Sequence, residues 1–240
     1  MDKVRKVLIR NGKQYFWKAG DLHTDAGMVK EDELKKDDSY VESQLGKGFT
    51  MFPASFLDKV NRMKRGPQTL LPKDLAIISY YSGIDRNSRV VDAGTGCGLL
   101  AIVLSRIAKE VTTYEREEKN IEIAKHNIEL LDAENVTIKN KDIYEGIDET
   151  GLDLITLDLP EPWRALEHAK KALKAGAYII TYLPSITQVM DLVNEADRQG
   201  LLVDRTIEIL EREWHVEGKK VRPSSDMYGH TAFLTIIRKI

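Results

Sequence analysis

One cysteine in 240 residues leaves Cys97 with nothing to pair with inside the chain. That excludes an internal disulfide framework and leads us to expect a reducing, cytoplasmic setting. Cys and His do not recur at zinc-ligand spacing, so no metal is expected. Apolar runs stay short of the roughly eighteen residues a membrane span needs, so no membrane association is expected. Met1-Asp2-Lys3-Val4-Arg5-Lys6 leads into mixed polar sequence rather than an apolar signal segment. Neither sign of charge dominates: 36 Lys and Arg stand against 38 Asp and Glu, for a net charge of −2. The overall basic excess of many nucleic-acid binders is missing. Two local basic clusters remain, Lys59, Arg62, Lys64 and Arg65, then Lys219, Lys220 and Arg222, and each reads most simply as a solvated face. The 42% hydrophobic content is enough for one large core, or for a medium and a small one.

The most informative stretch is Val90-Val91-Asp92-Ala93-Gly94-Thr95-Gly96-Cys97-Gly98-Leu99-Leu100. An apolar strand runs into three alternate glycines and then into a helical pattern, Leu99 to Ala108. Glycines at such a turn let the backbone approach a ligand, and the free N–H groups of the helix start face it. Tyr114-Glu115 ends the next apolar segment, at about the distance expected between a glycine turn and a carboxylate that holds a ribose diol. A tight strand-to-helix connection without a ligand is the plain alternative. Cys97, inside the turn, reads as a small lining residue rather than a nucleophile. The spacing is Gly-x-Gly-x-Gly, and Asp92 precedes it. A carboxylate there suits an ammonium or sulfonium better than a pyrophosphate. In this form the segment resembles motif I of class I methyltransferases, which implies S-adenosyl-L-methionine as cofactor, with NAD as the second candidate.

Residues 1–62 read as a small β-rich domain, with short aromatic or β-branched segments around Asn11-Gly12, Gly20-Asp21 and Gly46-Lys47-Gly48. Residues 63–240 alternate helix and strand patterns from Pro72 onward. This predicts an α/β domain, Rossmann-like, with a mostly parallel sheet and ligands at the C-terminal strand ends. Strands are expected over Arg89–Asp92, Val111–Tyr114, Val136–Lys139, Leu152–Leu157 and Tyr178–Leu183, and helices over Lys119–Leu131, Trp163–Leu173 and Thr187–Gln199. Two last β segments, Leu202–Leu210 and Ala232–Ile237, suggest an antiparallel hairpin closing one edge.

Three further positions fall at strand ends. Asp142 can accept from an adenine amino group, or can simply cap a turn. Asp158-Leu159-Pro160-Glu161-Pro162-Trp163 is stiffened by two prolines and offers a carboxylate and an aromatic beside the pocket. Tyr182-Leu183-Pro184 ends the next strand and offers a second aromatic wall.

Arg65-Gly66-Pro67-Gln68, Leu71-Pro72-Lys73-Asp74, the glycine turn, Asp158 to Trp163, Tyr182 to Gln188 and Gly229-His230-Thr231-Ala232-Phe233-Leu234 occur in that order. Together they resemble the tRNA (adenine-N1)-methyltransferase family that modifies the T-loop. Gly20 to Thr24 with Gly46 to Phe49 and Pro53 resembles its small amino-terminal domain, so the likeness spans nearly the whole chain. The resemblance implies a seven-stranded methyltransferase sheet, tRNA as partner, adenine 58 or 57 as target, and a homotetramer that binds tRNA across subunits. It implies that Gln68, Gly94, Gly96, Cys97, Gly98, Leu99 and Leu100 line the cofactor site, with Glu115 on the ribose and Asp142 on the adenine. Asp158 would meet the target adenine with Tyr182 close by. Where many relatives carry an aromatic before Pro-Lys-Asp this chain has Leu71, so stacking falls to Tyr182 or Trp163. Two other readings stand beside this one. A protein isoaspartyl O-methyltransferase shares the glycine motif, but Asp158 would repel its carboxylate substrate. A non-catalytic tRNA-binding subunit of a two-subunit methyltransferase would be expected to lose the glycines, which are present here.

Overall fold

A computed structural model describes residues 3–66 and 69–240. The chain divides into two compact units, Met1–Lys64 with Glu129–Asp132, and Arg65–Ile128 with Ala133–Ile240.

In the first unit Asn11-Gly12 turns the chain between β1 (Lys6–Arg10) and β2 (Lys13–Trp17), the hairpin that this dipeptide signals. A second hairpin joins β3 (Leu22–Thr24) to β4 (Gly27–Val29), and α1 (Glu31–Lys35) follows. β5 (Tyr40–Glu42) and β6 (Gly48–Pro53) complete a sheet of order β2-β1-β6-β5. Leu8, Trp17, Val29, Leu34, Val41, Phe49 and Met51 form its core. A last helix, α2 (Phe56–Val60), starts at a capping box in which Ser55 and Asp58 satisfy each other's backbone N–H. The two short helices are absent from the sequence reading because five residues carry too little periodicity to register.

The second unit opens with α3 (Pro72–Tyr81), whose first position is the proline that helix starts favour. Then come β7 (Arg89–Ala93), α4 (Leu99–Ser105), β8 (Glu110–Glu115), α5 (Glu118–Leu130), β9 (Val136–Asn140) and β10 (Leu152–Leu157). They continue through α6 (Leu166–Ala172), β11 (Leu173–Leu183), α7 (Ile186–Arg198) and β12 (Leu201–Glu208). β13 (Trp214–Glu217), β14 (Lys220–Pro223) and β15 (Phe233–Lys239) end the series. Seven strands form one sheet in the order β12-β15-β11-β10-β7-β8-β9, and β15 runs antiparallel to both its neighbours. The expected mostly parallel sheet is therefore present, with Val91, Leu152, Ile155, Leu157, Ile179 and Ile237 in its main core. Among the described residues no helix is long and apolar enough to cross a membrane.

In the second unit the structure departs from the sequence reading at several points, one being β11, which starts at Leu173 rather than Tyr178. α4 stops at Ser105 rather than Ala108, because the Asn135 side chain donates to the carbonyls of Ser105 (2.8 Å) and Ala108 (3.1 Å) and ends the helix there. The helix expected from Trp163 begins as a tight turn, Pro162–Ala165, and becomes α-helical only at Leu166. The last two sheet strands do pair antiparallel, but β15 inserts between β12 and β11, and their connection carries a separate hairpin, β13–β14.

Candidate functional site

The carboxyl ends of β7, β8, β9 and β10 enclose a cleft of about 260 Å3. Its wall includes Gly94 and Gly96 from the turn, Glu115 to Glu117, Asn120, Lys141 to Tyr144, and Asp158 to Pro160. The turn is held from two sides. Gly94 and Thr95 both donate backbone N–H bonds to the Tyr114 carbonyl (3.2 and 3.3 Å), and Asp158 N–H donates to the Ala93 carbonyl at 2.9 Å. Gly94 sits at φ +84°, and a Cβ there would run into the Asp158 carbonyl oxygen. Glycine is needed at this position for the close approach of the β10 loop as well as for the dihedral.

Glu115 is only 8% exposed. Its Oε1 accepts the N–H groups of Arg116 and Glu117 at 3.0 Å each, and its Oε2 accepts from Gly96 N–H (3.1 Å) and Asn120 Nδ2 (3.3 Å). The carboxylate therefore ties the glycine turn to the start of α5 while lying on the cleft wall. Asn120, which the sequence reading did not single out, signals itself only by standing in the first turn of α5, five residues after Glu115.

Asp142 caps the turn Ile143–Glu145 through Tyr144 N–H (2.9 Å) and pairs with Arg116 Nη1 at 3.2 Å. The turn-capping alternative thus holds, and the residue lines the cleft as well.

Asp92 differs from its expected place. It is not among the cleft residues but is buried in the sheet, where Thr113 Oγ1 (2.7 Å) and Thr156 Oγ1 (2.6 Å) donate to its two oxygens. Burial pushes its carboxyl up to about 6 despite these bonds. The acids that face the cleft are Glu115, Glu117, Asp142 and Asp158, against the cations Arg116 and Lys141.

Cys97, Gly98, Leu99 and Leu100 are not among the cleft residues. Cys97, Leu99 and Leu100 are buried, the Cys97 carbonyl accepts from Asn127 Nδ2 (2.8 Å), and Gly98 packs where a Cβ would come within 3.3 Å of Ala124 Cβ. The Gln68 expectation lies outside the described residues.

At the far side of the cleft Asp158 is half-buried, and its carboxylate has no hydrogen-bond partner among the described residues. Burial, aided by the nearby charge of Asp92, pushes its carboxyl up to about 7. The loop that carries it is fastened at two points. Gln188 Nε2 donates to the Pro160 carbonyl (2.8 Å), and Glu161 N–H donates to Tyr144 Oη (3.2 Å). Trp163 packs against the main core instead of lining the cleft. Tyr182 is not a wall of the cleft either, but it stands beside Asp158, because Leu157 and Thr181 are partners across β10 and β11. Its hydroxyl donates to Asp74 Oδ2 at 3.3 Å, and burial, then the Asp74 charge, pushes the phenol up to about 12.

Comparison with known proteins fits this geometry. Two similar proteins are the tRNA (adenine(57)-N(1)/adenine(58)-N(1))-methyltransferase TrmI of Methanocaldococcus jannaschii and the tRNA (adenine(58)-N(1))-methyltransferase TrmI of Thermus thermophilus. The first is 37% identical over 97% of this chain and 94% of its own length. The second is 32% identical over 96% and 94%. Among solved structures, a SAM-dependent O-methyltransferase from Thermotoga maritima superposes with a TM-score of 0.86 at 28% identity, over 100% of this chain and 94% of the other. The tRNA (m1A58) methyltransferase TrmI from Aquifex aeolicus does so with 0.80 at 27%, over 100% and 98%. Residues 60–230, which contain the whole cleft, match the family described as the tRNA methyltransferase complex GCD14 subunit, and the chain belongs to that family.

Proposed function

We propose that this enzyme transfers a methyl group from S-adenosyl-L-methionine to N1 of an adenine in the T-loop of tRNA. The target is position 58, and position 57, which the name of the M. jannaschii relative includes, is the second candidate. One observation carries the reading: a half-buried carboxylate without a hydrogen-bond partner among the described residues, Asp158, stands across the cleft from the Glu115 cradle.

The residues present fit the cofactor. Four carboxylates against two cations suit a sulfonium-bearing nucleoside and disfavour the pyrophosphate of NAD. Glu115 would hold the ribose hydroxyls, Asp142 the adenine edge, and the backbone at Gly94 and Gly96 the turn beside them. When bound, the cofactor supplies an electrophilic methyl group on sulfur. Glu115→Ala is expected to weaken cofactor binding at least tenfold, in line with about 1.5–3 kcal/mol for hydrogen bonds to a charged group. It also leaves four N–H donors without their acceptor, so the melting temperature should fall too. Calorimetry that finds unchanged affinity in the folded variant would defeat the ribose assignment.

Adenine N1 carries an in-plane lone pair at neutral pH, so no strong base is required. Asp158 accepts a hydrogen bond from the N6 amino group and opposes the positive charge that develops on the ring. The proline-stiffened loop keeps that carboxylate in place, and Tyr182 flanks the base once it has been drawn out of the tRNA. We assign the working form as a cytoplasmic homotetramer, because a chain of net charge −2 offers few phosphate contacts alone and several copies can bring their basic clusters to one groove. Light scattering that finds only a monomer, fully active on tRNA, would overturn this assembly.

The test of function is primer extension on an unmodified tRNA transcript incubated with the purified chain and the cofactor. A new reverse-transcription stop at 58, with or without 57, is expected. No T-loop stop, in a preparation that binds labelled cofactor, would refute the assignment. Failure of the chain alone to bind labelled cofactor would instead favour the non-catalytic subunit.

A further inference from the structure

A second polar cluster lies outside the cleft. Asp74, in the first turn of α3, is 0% exposed and the Lys73 side chain 6%. Lys73 Nζ donates to Asp74 Oδ1 (2.7 Å) and to Thr231 Oγ1 (2.6 Å). Asp74 Oδ2 accepts from Thr231 Oγ1 (3.2 Å) and from the Tyr182 hydroxyl (3.3 Å). The cluster thus joins three segments distant in sequence: the start of α3, the end of β11, and the residues that lead into β15. A buried ion pair is a poor device for stability, since apolar residues of similar volume usually do as well or better. What this one supplies is a fixed place for the Tyr182 phenol. β11 holds the ring at one end and Asp74 at the other, and the β10–β11 register sets that ring beside Asp158.

We propose that Asp74 is a positioning residue for the acceptor base, acting through Tyr182, with Lys73 and Thr231 holding its carboxylate in line. The inference rests on the methyl-transfer reading above. Asp74 touches neither substrate nor cofactor. It anchors the phenol hydroxyl and keeps the ring still, so that the base meets a preformed wall.

The test is a mutant cycle on the full chain. Lys73→Met and Asp74→Leu are made together, so that no lone charge is left buried. Single-turnover transfer at saturating tRNA and cofactor is expected to fall ten- to a hundredfold, with the melting temperature within a few degrees of wild type and cofactor affinity within twofold. Tyr182→Phe is expected to be slower than wild type, and the triple variant no slower than K73M/D74L, as residues acting as one unit require. Losses that multiply, or K73M/D74L running at the wild-type rate, would overturn the proposal. So would parallel loss of rate, cofactor affinity and melting temperature, the mark of a merely structural pair. If K73M/D74L does not fold, Thr231→Val takes its place in the same cycle with Tyr182, under the same criteria. A readout independent of catalysis is the Tyr182 resonance in ring-labelled protein, assigned with Y182F. Its titration should move down toward an ordinary phenol in K73M/D74L, and an unmoved titration counts against the link. A wild-type chain that methylates no tRNA would overturn the underlying reading itself, which the cycle alone cannot do.

Discussion

Asp158→Asn should slow methyl transfer at saturating tRNA and cofactor by one to three powers of ten, while both affinities stay close to wild type. The amide keeps an acceptor oxygen for the N6 amino group but has no charge to set against the ring's developing positive charge, and one electrostatic stabiliser is worth about that range. The pH profile sharpens the test. The Asp158 carboxyl is pushed up to about 7, by burial first and by Asp92 second, so only the fraction ionised above that pH carries the charge. In the wild type the single-turnover rate should rise with pH through about 7 and then level off. In the Asn variant that limb should be missing. Stability should move the opposite way. A carboxyl whose folded value lies above its unfolded one holds its proton more tightly when folded, so its contribution is full below about pH 4 and is lost as pH rises through about 7. Asp92, raised to about 6, adds to the same slope. At pH 8 the Asn variant should therefore unfold later than wild type, by on the order of 1–3 kcal/mol once partial exposure of the group is discounted. A variant that transfers at the wild-type rate would make Asp158 a structural residue and move the acceptor site elsewhere.

Gly94→Ala should be among the most damaging single substitutions in the chain. The added Cβ would run into the Asp158 carbonyl oxygen and come within 3.1 Å of its carbon, at a φ of +84°. The β10 loop cannot retreat without breaking the bond from Asp158 N–H to the Ala93 carbonyl. The left-handed dihedral costs about 1–2 kcal/mol and overpacking about 1–3 more. In a domain of this size that lowers the melting temperature by roughly 4–20 °C. Gly96→Ala is the control. A Cβ there would meet only the Gly94 carbonyl oxygen at 3.8 Å, so the φ of +53° is its main penalty, about 1–2 kcal/mol. Thermal unfolding of the two variants side by side decides the matter. Equal melting temperatures would show that the turn and the β10 loop are not wedged together.

Sequence pattern carried the frame further than it carried the chemistry. The strand–turn–helix around Gly94 and the carboxylate of Glu115 were legible because each is a local signal: period, glycine spacing, an acid at a strand end. The Asn11-Gly12 hairpin was legible for the same reason. The Asp92 clamp was not, since Thr113 and Thr156 come from two neighbouring strands and only the sheet order makes them partners. Lys73, Asp74, Thr231 and Tyr182 each lie inside a motif that the sequence displays. That they meet depends on α3, β11 and the approach to β15 converging, with Asp74 and Thr231 157 positions apart in sequence. Trp163 misled in the opposite direction: its place after two prolines suggested a pocket wall, whereas its ring has more apolar surface to bury against the core. The β13–β14 hairpin escaped notice because all its residues are exposed and leave no inside–outside alternation to read.

The place of β15 has a consequence for synthesis. It is the last of the seven strands to leave the ribosome, yet it lies between β11 and β12. Until it arrives, β12 has no neighbour to pair with, and Asp74 waits for the hydroxyl of Thr231, made just ahead of that strand. The half of the sheet that carries the proposed cofactor cleft, β7 to β10, can assemble while the chain is still growing, because domains form as their segments emerge. The acceptor side cannot. A nascent chain stalled before Phe233 should therefore already hold the cofactor cradle but lack a finished place for the base, so the capacity to modify tRNA would be gained only in the final step of translation through this domain.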